Sequence, residues 1–228
     1  MLIVKIIGLT LLAYLLGSIP SGLIIVKLAT GRDVREIASG RTGGTNAMRA
    51  AGVWAGLGTA IMDILKSSAS VWIAMAIMPD NSWAQVSAGL AAILGHNYSI
   101  FLTKRDEAGS LHLRGGAGGA PTVGTALALW APSILIIVPL GALILYFIGY
   151  ASIATLSVAL LAALVFAYRA WIGVSPWQYV LYALLAEVLL ILALRPNIQR
   201  LINGTERIVG FRARRKKDPS RGMQDPGR

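Results

Sequence analysis

Cysteine is absent from this chain of 228 residues, which excludes disulfides, thiolate catalysis and thiol-ligated zinc. Histidine is nearly absent. His96 and His112 are the only two, too few for a dedicated transition-metal centre, so neither a metal nor another cofactor is expected. Charge is scarce as well: 14% of residues are charged and 56% are hydrophobic, whereas soluble domains carry about a quarter charged residues. Together with a mean hydropathy of +0.67, this argues against a soluble fold. Acidic residues are outnumbered 10 to 21, and ten of the basic residues lie from Arg195 onward. That bias describes a cytoplasmic tail resting on anionic lipid. No aromatic platform or folded basic domain accompanies it, so a nucleic-acid partner is not expected.

What the chain does have is apolar blocks of membrane-spanning length. The first covers 2–28 and is interrupted by Gly17-Ser18-Ile19-Pro20. Lys5 ahead of an apolar run could suggest a signal peptide, but the hydrophobicity continues past Pro20, as in a retained helix. Further blocks cover 54–78, with Asp63 and Lys66, and 83–102, separated by a turn at 79–82 that lacks basic residues. A second polar loop, 103–119, holds Lys104, Arg105 and Arg114. The block 120–149 is broken at Pro132 and Pro139 and reads as one kinked helix or two short ones; blocks at 152–171 and 176–194 follow. Placing every basic loop and the tail on the cytoplasmic side requires an even number of crossings after the second loop. The expectation is therefore an all-α integral membrane protein, a polytopic bundle of about seven transmembrane helices, with the N-terminus outside and the C-terminus cytoplasmic. Residues 1–206 form one membrane domain and 207–228 a basic, disordered cytoplasmic tail. Arg169, near the outer face, is the exception.

The polar interruptions carry the chemistry. The first is Ser39-Gly40-Arg41-Thr42-Gly43-Gly44-Thr45-Asn46-Ala47-Met48-Arg49. Orientation signals need positive charge, and Arg32 and Arg35 fit that role. They do not need hydroxyls, an amide and paired glycines within a few residues, which are the parts of a site for an oxyanion such as phosphate. The second is Arg114-Gly115-Gly116-Ala117-Gly118-Gly119 directly before a helix, a position suited to phosphate, although it matches neither common nucleotide-binding glycine pattern. His96 ends the preceding helical block. Asp63 and Lys66 share a helix face and can pair, or Lys66 can attract phosphate. Glu187, deep in the last block, should face the bundle interior.

Taken in order, these blocks resemble the bacterial membrane acyl-phosphate:glycerol-3-phosphate acyltransferases, the PlsY family. The resemblance runs from Gly17-Ser18-Ile19-Pro20 with Gly22, through 39–49, Asp63-Ile64-Leu65-Lys66, Gly95-His96-Asn97-Tyr98-Ser99 and 115–118, to Asn197, Ile198, Arg200, Leu201 and Gly204-Thr205-Glu206. It implies a multi-pass enzyme of the bacterial cell membrane with its site at the cytoplasmic face. Such an enzyme moves an acyl group from acyl-phosphate to the 1-hydroxyl of glycerol 3-phosphate, giving lysophosphatidic acid in phospholipid synthesis. Carried over by position, Ser39, Arg49 and Asn197 are catalytic. Gly43, Gly44, Thr45, Asn46, Lys66, His96, Arg114, Gly115, Gly116 and Gly118 bind substrate, and Glu206 is structural. No cofactor is implied.

Three departures stand out. The family's Lys-Gly-Gly-Lys-Gly loop has Ala117 in place of its second lysine, and Leu194 stands where the third block has a histidine. Residues 104–113 are an insertion that brings in His112, which could replace that histidine. A divergent paralogue that binds acyl-phosphate or a phosphorylated lipid is the alternative. An anion channel fits less well, because ionisable residues do not line several spans. The His-x-x-x-x-Asp pattern of other acyltransferases is absent: five residues after the histidines stand Phe101 and Ala117.

Overall fold

The computed structural model describes residues 1–105 and 111–209, and only the backbone of Lys104, Arg105 and His112. The tail from 210 onward and the idea that the His112 side chain replaces a histidine lie outside what is described. Helix α1 (Leu2–Ser18) stops before Pro20, which has no N–H to donate and restricts the residue ahead of it. Helix α2 (Ser21–Thr30) starts directly afterwards, so the first apolar block is one broken helical unit, Leu2–Thr30. A short surface helix α3 (Gly44–Ala51) precedes the long α4 (Val53–Ile77). Helix α5 (Ser82–Asn97) is capped by the Asn81 side chain, which accepts from the Ala84 N–H at 3.0 Å.

Two expectations need correction here. The third apolar block is helical only to Asn97, and Ser99–Arg105 (β1) pairs antiparallel with Leu111–Arg114 (β2). The bundle is thus mostly helical but not all-α. Ile100, Phe101 and Thr103 favour an extended, half-covered backbone, and the Ser99 hydroxyl fixes the strand's start by donating to the Ser18 carbonyl at 2.6 Å. The insertion noted in the sequence supplies the second strand. The last helix also runs past the expected boundary at 194. Helix α9 (Gln178–Ile202) carries Pro196 inside it and takes Asn197 and Arg200 with it.

Between these lie α6 (Gly119–Leu129), a 3₁₀ turn at Ala131–Ser133, α7 (Ile134–Ile148) and α8 (Ala151–Trp171). Residues 120–149 therefore form two helices, divided at Pro132. Among the described residues, five helical units are long and apolar enough to cross a membrane: Leu2–Thr30, Val53–Ile77, Ala131–Ile148, Ala151–Trp171 and Gln178–Ile202. Helix α6 is a shorter apolar helix.

Helix α1 packs on α5, α4 on α6, and α8 on α9. Small residues allow the backbones to touch, as membrane helices without a hydrophobic drive between them require. A methyl group on Gly17 would strike the Ala92 backbone, and one on Gly124 the Ile64 carbonyl. The main core gathers Ile93, Val123, Ile137, Phe166, Tyr182 and Leu190. The buried Tyr182 hydroxyl is satisfied by the Thr122 carbonyl at 2.6 Å. Leucine, isoleucine and phenylalanine side chains remain exposed along the helices, with Trp54, Trp83, Trp171 and Trp177 at helix ends. That is the surface of a protein solvated by lipid, with an interfacial aromatic belt. The exceptional Arg169 lies 4.0 Å over the Trp130 ring and donates to the Val174 carbonyl. Glu187 is half-buried, with one carboxylate oxygen lacking a hydrogen-bond partner.

Candidate active site

The segment between α2 and α3 is organised from within. The Asp33 side chain caps the turn Val34–Glu36 and grips Arg35 at 2.6 Å, so the Asp33 carboxyl is held below the ordinary carboxylate range by the Arg35 guanidinium. The buried Asn46 amide donates to the carbonyls of Val34, Ile37 and Arg41 at 2.9–3.0 Å and accepts from the Ser39 N–H at 3.4 Å. Both N–H donors of the amide are spent on these three carbonyls, so Asn46 shapes the loop and has no donor left for a ligand. The Ser39 hydroxyl accepts from the Arg41 N–H at 3.4 Å.

The glycine-rich loop lies directly against this segment. The Thr42 N–H donates to the Gly115 carbonyl at 3.4 Å, and the Arg41 guanidinium donates to the Gly116 carbonyl at 3.0 Å. The Gly116 N–H is already committed to the His96 carbonyl at 2.9 Å, and the His96 ring occupies the space where a β-carbon on Gly116 would go. Gly118 adopts φ +91 as it caps α6, a conformation that side chains resist. Gly115 and Gly116 therefore let the loop sit on α5, whereas Gly118, Gly119 and Ala120 at the start of α6 line the cavity described below.

Beneath the loop, Asp63, Lys66 and His96 form a buried cluster. Lys66 lies 2.8 Å from Asp63, His96 lies 3.4 Å from the same carboxylate oxygen, and the Lys66 ammonium lies 3.1 Å from the His96 Nδ1. Lys66 also donates to the Ile19 carbonyl at 2.8 Å, at the break between α1 and α2. Removing one partner of such a pair leaves an uncompensated buried charge. Asp63→Asn is thus expected to destabilise the protein by about 3–5 kcal/mol. A thermal melt in detergent checks this; an unchanged midpoint would mean that the pair is not an integral support.

The third segment comes from the end of α9. The Glu206 carboxylate accepts from the Asn197 amide at 2.8 Å and from the Arg200 Nε at 2.8 Å. A carboxylate only accepts, so the Asn197 Nδ2 must face it. The Asn197 Oδ1 is consequently left buried and unpartnered. Residues 203–209 then turn back to the α7–α8 corner, where the Val209 N–H meets the Gly149 carbonyl at 2.7 Å.

These segments enclose a cavity of roughly 570 Å³. Its lining combines polar and charged side chains, Ser39, Arg41, Thr45, Arg49, Asn197 and Glu206, and the first residues of α3 and α6, with the apolar Leu57, Ala60, Ala142 and Leu145. Arg41 and Arg49 form no ion pair among the described residues, and burial lowers the pKa of each guanidinium from its ordinary value. Such a cavity suits a ligand with phosphate at one end and hydrocarbon at the other.

Of the residues expected from sequence, Ser39, Gly43, Gly44, Thr45, Asn46, Arg49, His96, Gly118 and Asn197 line this cavity. Lys66, Arg114, Gly115 and Gly116 do not. Lys66 is held in the ion cluster, Arg114 is exposed on β2, and the two glycines pack against α5. Arg41, which the sequence placed in the first polar block without an individual role, lines the cavity as well. Sequence reasoning missed the apolar wall formed by α4 and α7, which nothing distinguishes from other lipid-facing leucines and alanines.

Comparison with known proteins agrees with the order of the blocks. A family model described as glycerol-3-phosphate acyltransferase matches residues 7–204. Similar proteins with that name include one from Rubrobacter xylanophilus, 36% identical over 206 residues, covering 90% of this chain and 96% of that protein. Another, from Rippkaea orientalis, is 35% identical over 214 residues, covering 89% and 92%. A crystal structure of PlsY, an integral membrane glycerol 3-phosphate acyltransferase in its glycerol 3-phosphate form, superposes with a TM-score of 0.78 at 31% identity, covering 92% of this chain and 98% of that one. Its lysophosphatidic acid form gives 0.75 at 30% identity.

Proposed function

The chain belongs to the glycerol-3-phosphate acyltransferase family, and on that premise we propose how its cavity carries out acyl transfer. The protein is an integral membrane acyltransferase that acylates glycerol 3-phosphate to lysophosphatidic acid. In our reading the donor is acyl-phosphate, its chain lying along Leu57, Ala60, Ala142 and Leu145 and its phosphate meeting the cations of the lining. The single observation that carries this is the joining, in one cavity, of apolar side chains to two guanidiniums that form no ion pair among the described residues.

The reaction follows from the groups present. The glycerol 1-hydroxyl oxygen attacks the acyl carbonyl carbon, the bond from that carbon to the phosphate oxygen breaks, and inorganic phosphate leaves with the hydroxyl proton. Asn197, its amide orientation fixed by Glu206, offers its unpartnered Oδ1 to the attacking hydroxyl. Arg49 and the N–H groups at the starts of α3 and α6 neutralise phosphate charge. Catalysis of this kind rests on positioning two anions and screening their repulsion. Ser39 is suited to hydrogen bonding rather than to forming an acyl-enzyme. Among the described residues its hydroxyl is hydrogen-bonded to the Arg41 N–H and to no histidine, lysine or carboxylate that could act as a base.

We further propose that the broken first unit, α4, α5, α6, α7, α8 and α9 make seven crossings, placing the cavity at the cytoplasmic face of a bacterial membrane. The basic loops support this orientation. Because the chain contains no cysteine, single cysteines test it directly. An impermeant maleimide is expected to label Asp80→Cys in intact cells, and Arg32→Cys only after lysis. The reverse pattern would invert the topology.

The alternative, a paralogue with impaired activity, draws on Ala117 and Leu194 and is not favoured, given the similarity along nearly the full length of the named enzymes. Purified protein supplied with acyl-phosphate and glycerol 3-phosphate should yield lysophosphatidic acid and inorganic phosphate in equal amounts. Product from an acyl thioester alone would overturn the proposed donor, and no product from any donor would overturn the activity.

A further inference from the structure

Arg41 is a mostly buried cation of the cavity that has donors to spare. Its guanidinium donates to the carbonyls of Gly116 and Ala193, one on the glycine loop and one on α9. These are dipoles, and no carboxylate pairs with Arg41 among the described residues. A guanidinium has five N–H donors in a fixed plane. Two are engaged here, which leaves three, together with the full positive charge. The neighbouring cavity residues Ala117 and Leu194 carry no charge, and the Glu206 carboxylate, which also lines the cavity and attracts Arg41, is already engaged by Asn197 and Arg200. A cation held partly out of water without an ion pair of its own is costly, so an anion bound here would complete it.

We infer that Arg41 is a phosphate ligand of the bound substrates, holding a phosphoryl group on its free edge while its other edge ties the glycine loop to α9. The inference rests on the acyltransferase reading given above. The planar fork is what makes both tasks possible at once, since a lysine ammonium cannot present two opposed edges. The ligand class is a phosphomonoester or acyl-phosphate dianion. Either substrate can supply it: the phosphate of glycerol 3-phosphate or that of the acyl donor. The bridge also explains why Arg41 lies where it does. It stands at the junction of three chain segments that are distant in sequence, so binding a phosphate there also fixes their mutual placement.

The test uses the full chain, purified and reconstituted in lipid, with KM measured separately for glycerol 3-phosphate and for a long-chain acyl-phosphate. Arg41→Gln is expected to raise KM at least tenfold for one of them. A rise for glycerol 3-phosphate alone assigns the contact to the acceptor, and a rise for the acyl-phosphate alone assigns it to the donor; both support a phosphate ligand. Adding Ala117→Lys to the Arg41→Gln chain should recover part of that KM, because an ammonium beside the same phosphate replaces the charge but not the two carbonyl bonds. A purely structural bridge predicts the opposite pattern: a lower melting temperature and lower kcat, with both KM values within twofold of the parent. That result would overturn the inference. If Arg41→Gln does not accumulate, Arg41→Lys carries the test, with a KM rise of threefold or more in support and unchanged values for both substrates against. Should the parent protein itself form no lysophosphatidic acid, the underlying function fails, and that outcome is distinct from an active parent with an unaffected variant.

Discussion

Arg49→Gln is expected to reduce kcat/KM for glycerol 3-phosphate by about 10³-fold, the size of loss that follows removal of a preorganised donor facing developing charge. The variant removes the charge and shortens the side chain while keeping a polar amide with two donors. Arg49 lies on α3 and lines the cavity, and it forms no ion pair among the described residues. No structural partner is therefore orphaned by the change, and the melting temperature should stay within a few degrees of the parent. Arg49→Lys should recover only part of the rate, because a point charge replaces a fork able to bind two phosphate oxygens. Steady-state kinetics with a parallel melt separate the outcomes. A large loss of stability would show that Arg49 holds the fold, and full activity in Arg49→Gln would remove it from the site.

Gly116→Ala is expected to lower kcat/KM about 10²-fold or more, although Gly116 does not line the cavity. The added methyl would enter the space of the buried His96 ring. Overpacking of this kind typically costs about 1–3 kcal/mol. Here the strain falls on a loop that is also tied to His96 through the Gly116 N–H and to Arg41 through the Gly116 carbonyl. Moving the loop displaces the start of α6 and its free N–H groups together, and misplacement by about 1 Å can cost 10²-fold in rate. Gly8→Ala, on α1 and outside the cavity lining, is the control. A β-carbon there meets no described neighbour within 4 Å, so it should be tolerated. Equal behaviour of the two variants would contradict the claim that the loop's seat on His96 matters.

Much of the architecture is legible in the sequence because lipid enforces simple rules. Most of the apolar blocks are helices, Pro20 ends one of them, and Pro132 divides 120–149 into two. The hairpin was not legible. Residues 98–102 are as apolar as the helix before them, and only their extended preference and the Ser99 anchor to Ser18 turn them into a strand. The extension of α9 through Pro196 was obscured by a rule that usually holds for proline. At the site, residue type pointed to the right segments but not to the division of labour within them. Asn46, Lys66 and Gly116 have the chemistry of phosphate ligands, yet their partners lie within the protein: three carbonyls, a carboxylate and a histidine ring. Arg41 has the same chemistry as Arg35. It is set apart only because Arg35 finds Asp33 two residues away, whereas Arg41 reaches carbonyls 75 and 152 residues further along the chain.

The central claim is that one cavity holds both phosphorylated substrates and that the acyl group passes directly between them. Rapid mixing of the purified protein with radiolabelled acyl-phosphate, quenched before and after glycerol 3-phosphate is added, tests it most directly. The account predicts no label on the protein at any time and lysophosphatidic acid only once the acceptor is present. Label retained on Ser39 in the absence of acceptor, and chased into product when acceptor is added, would contradict it.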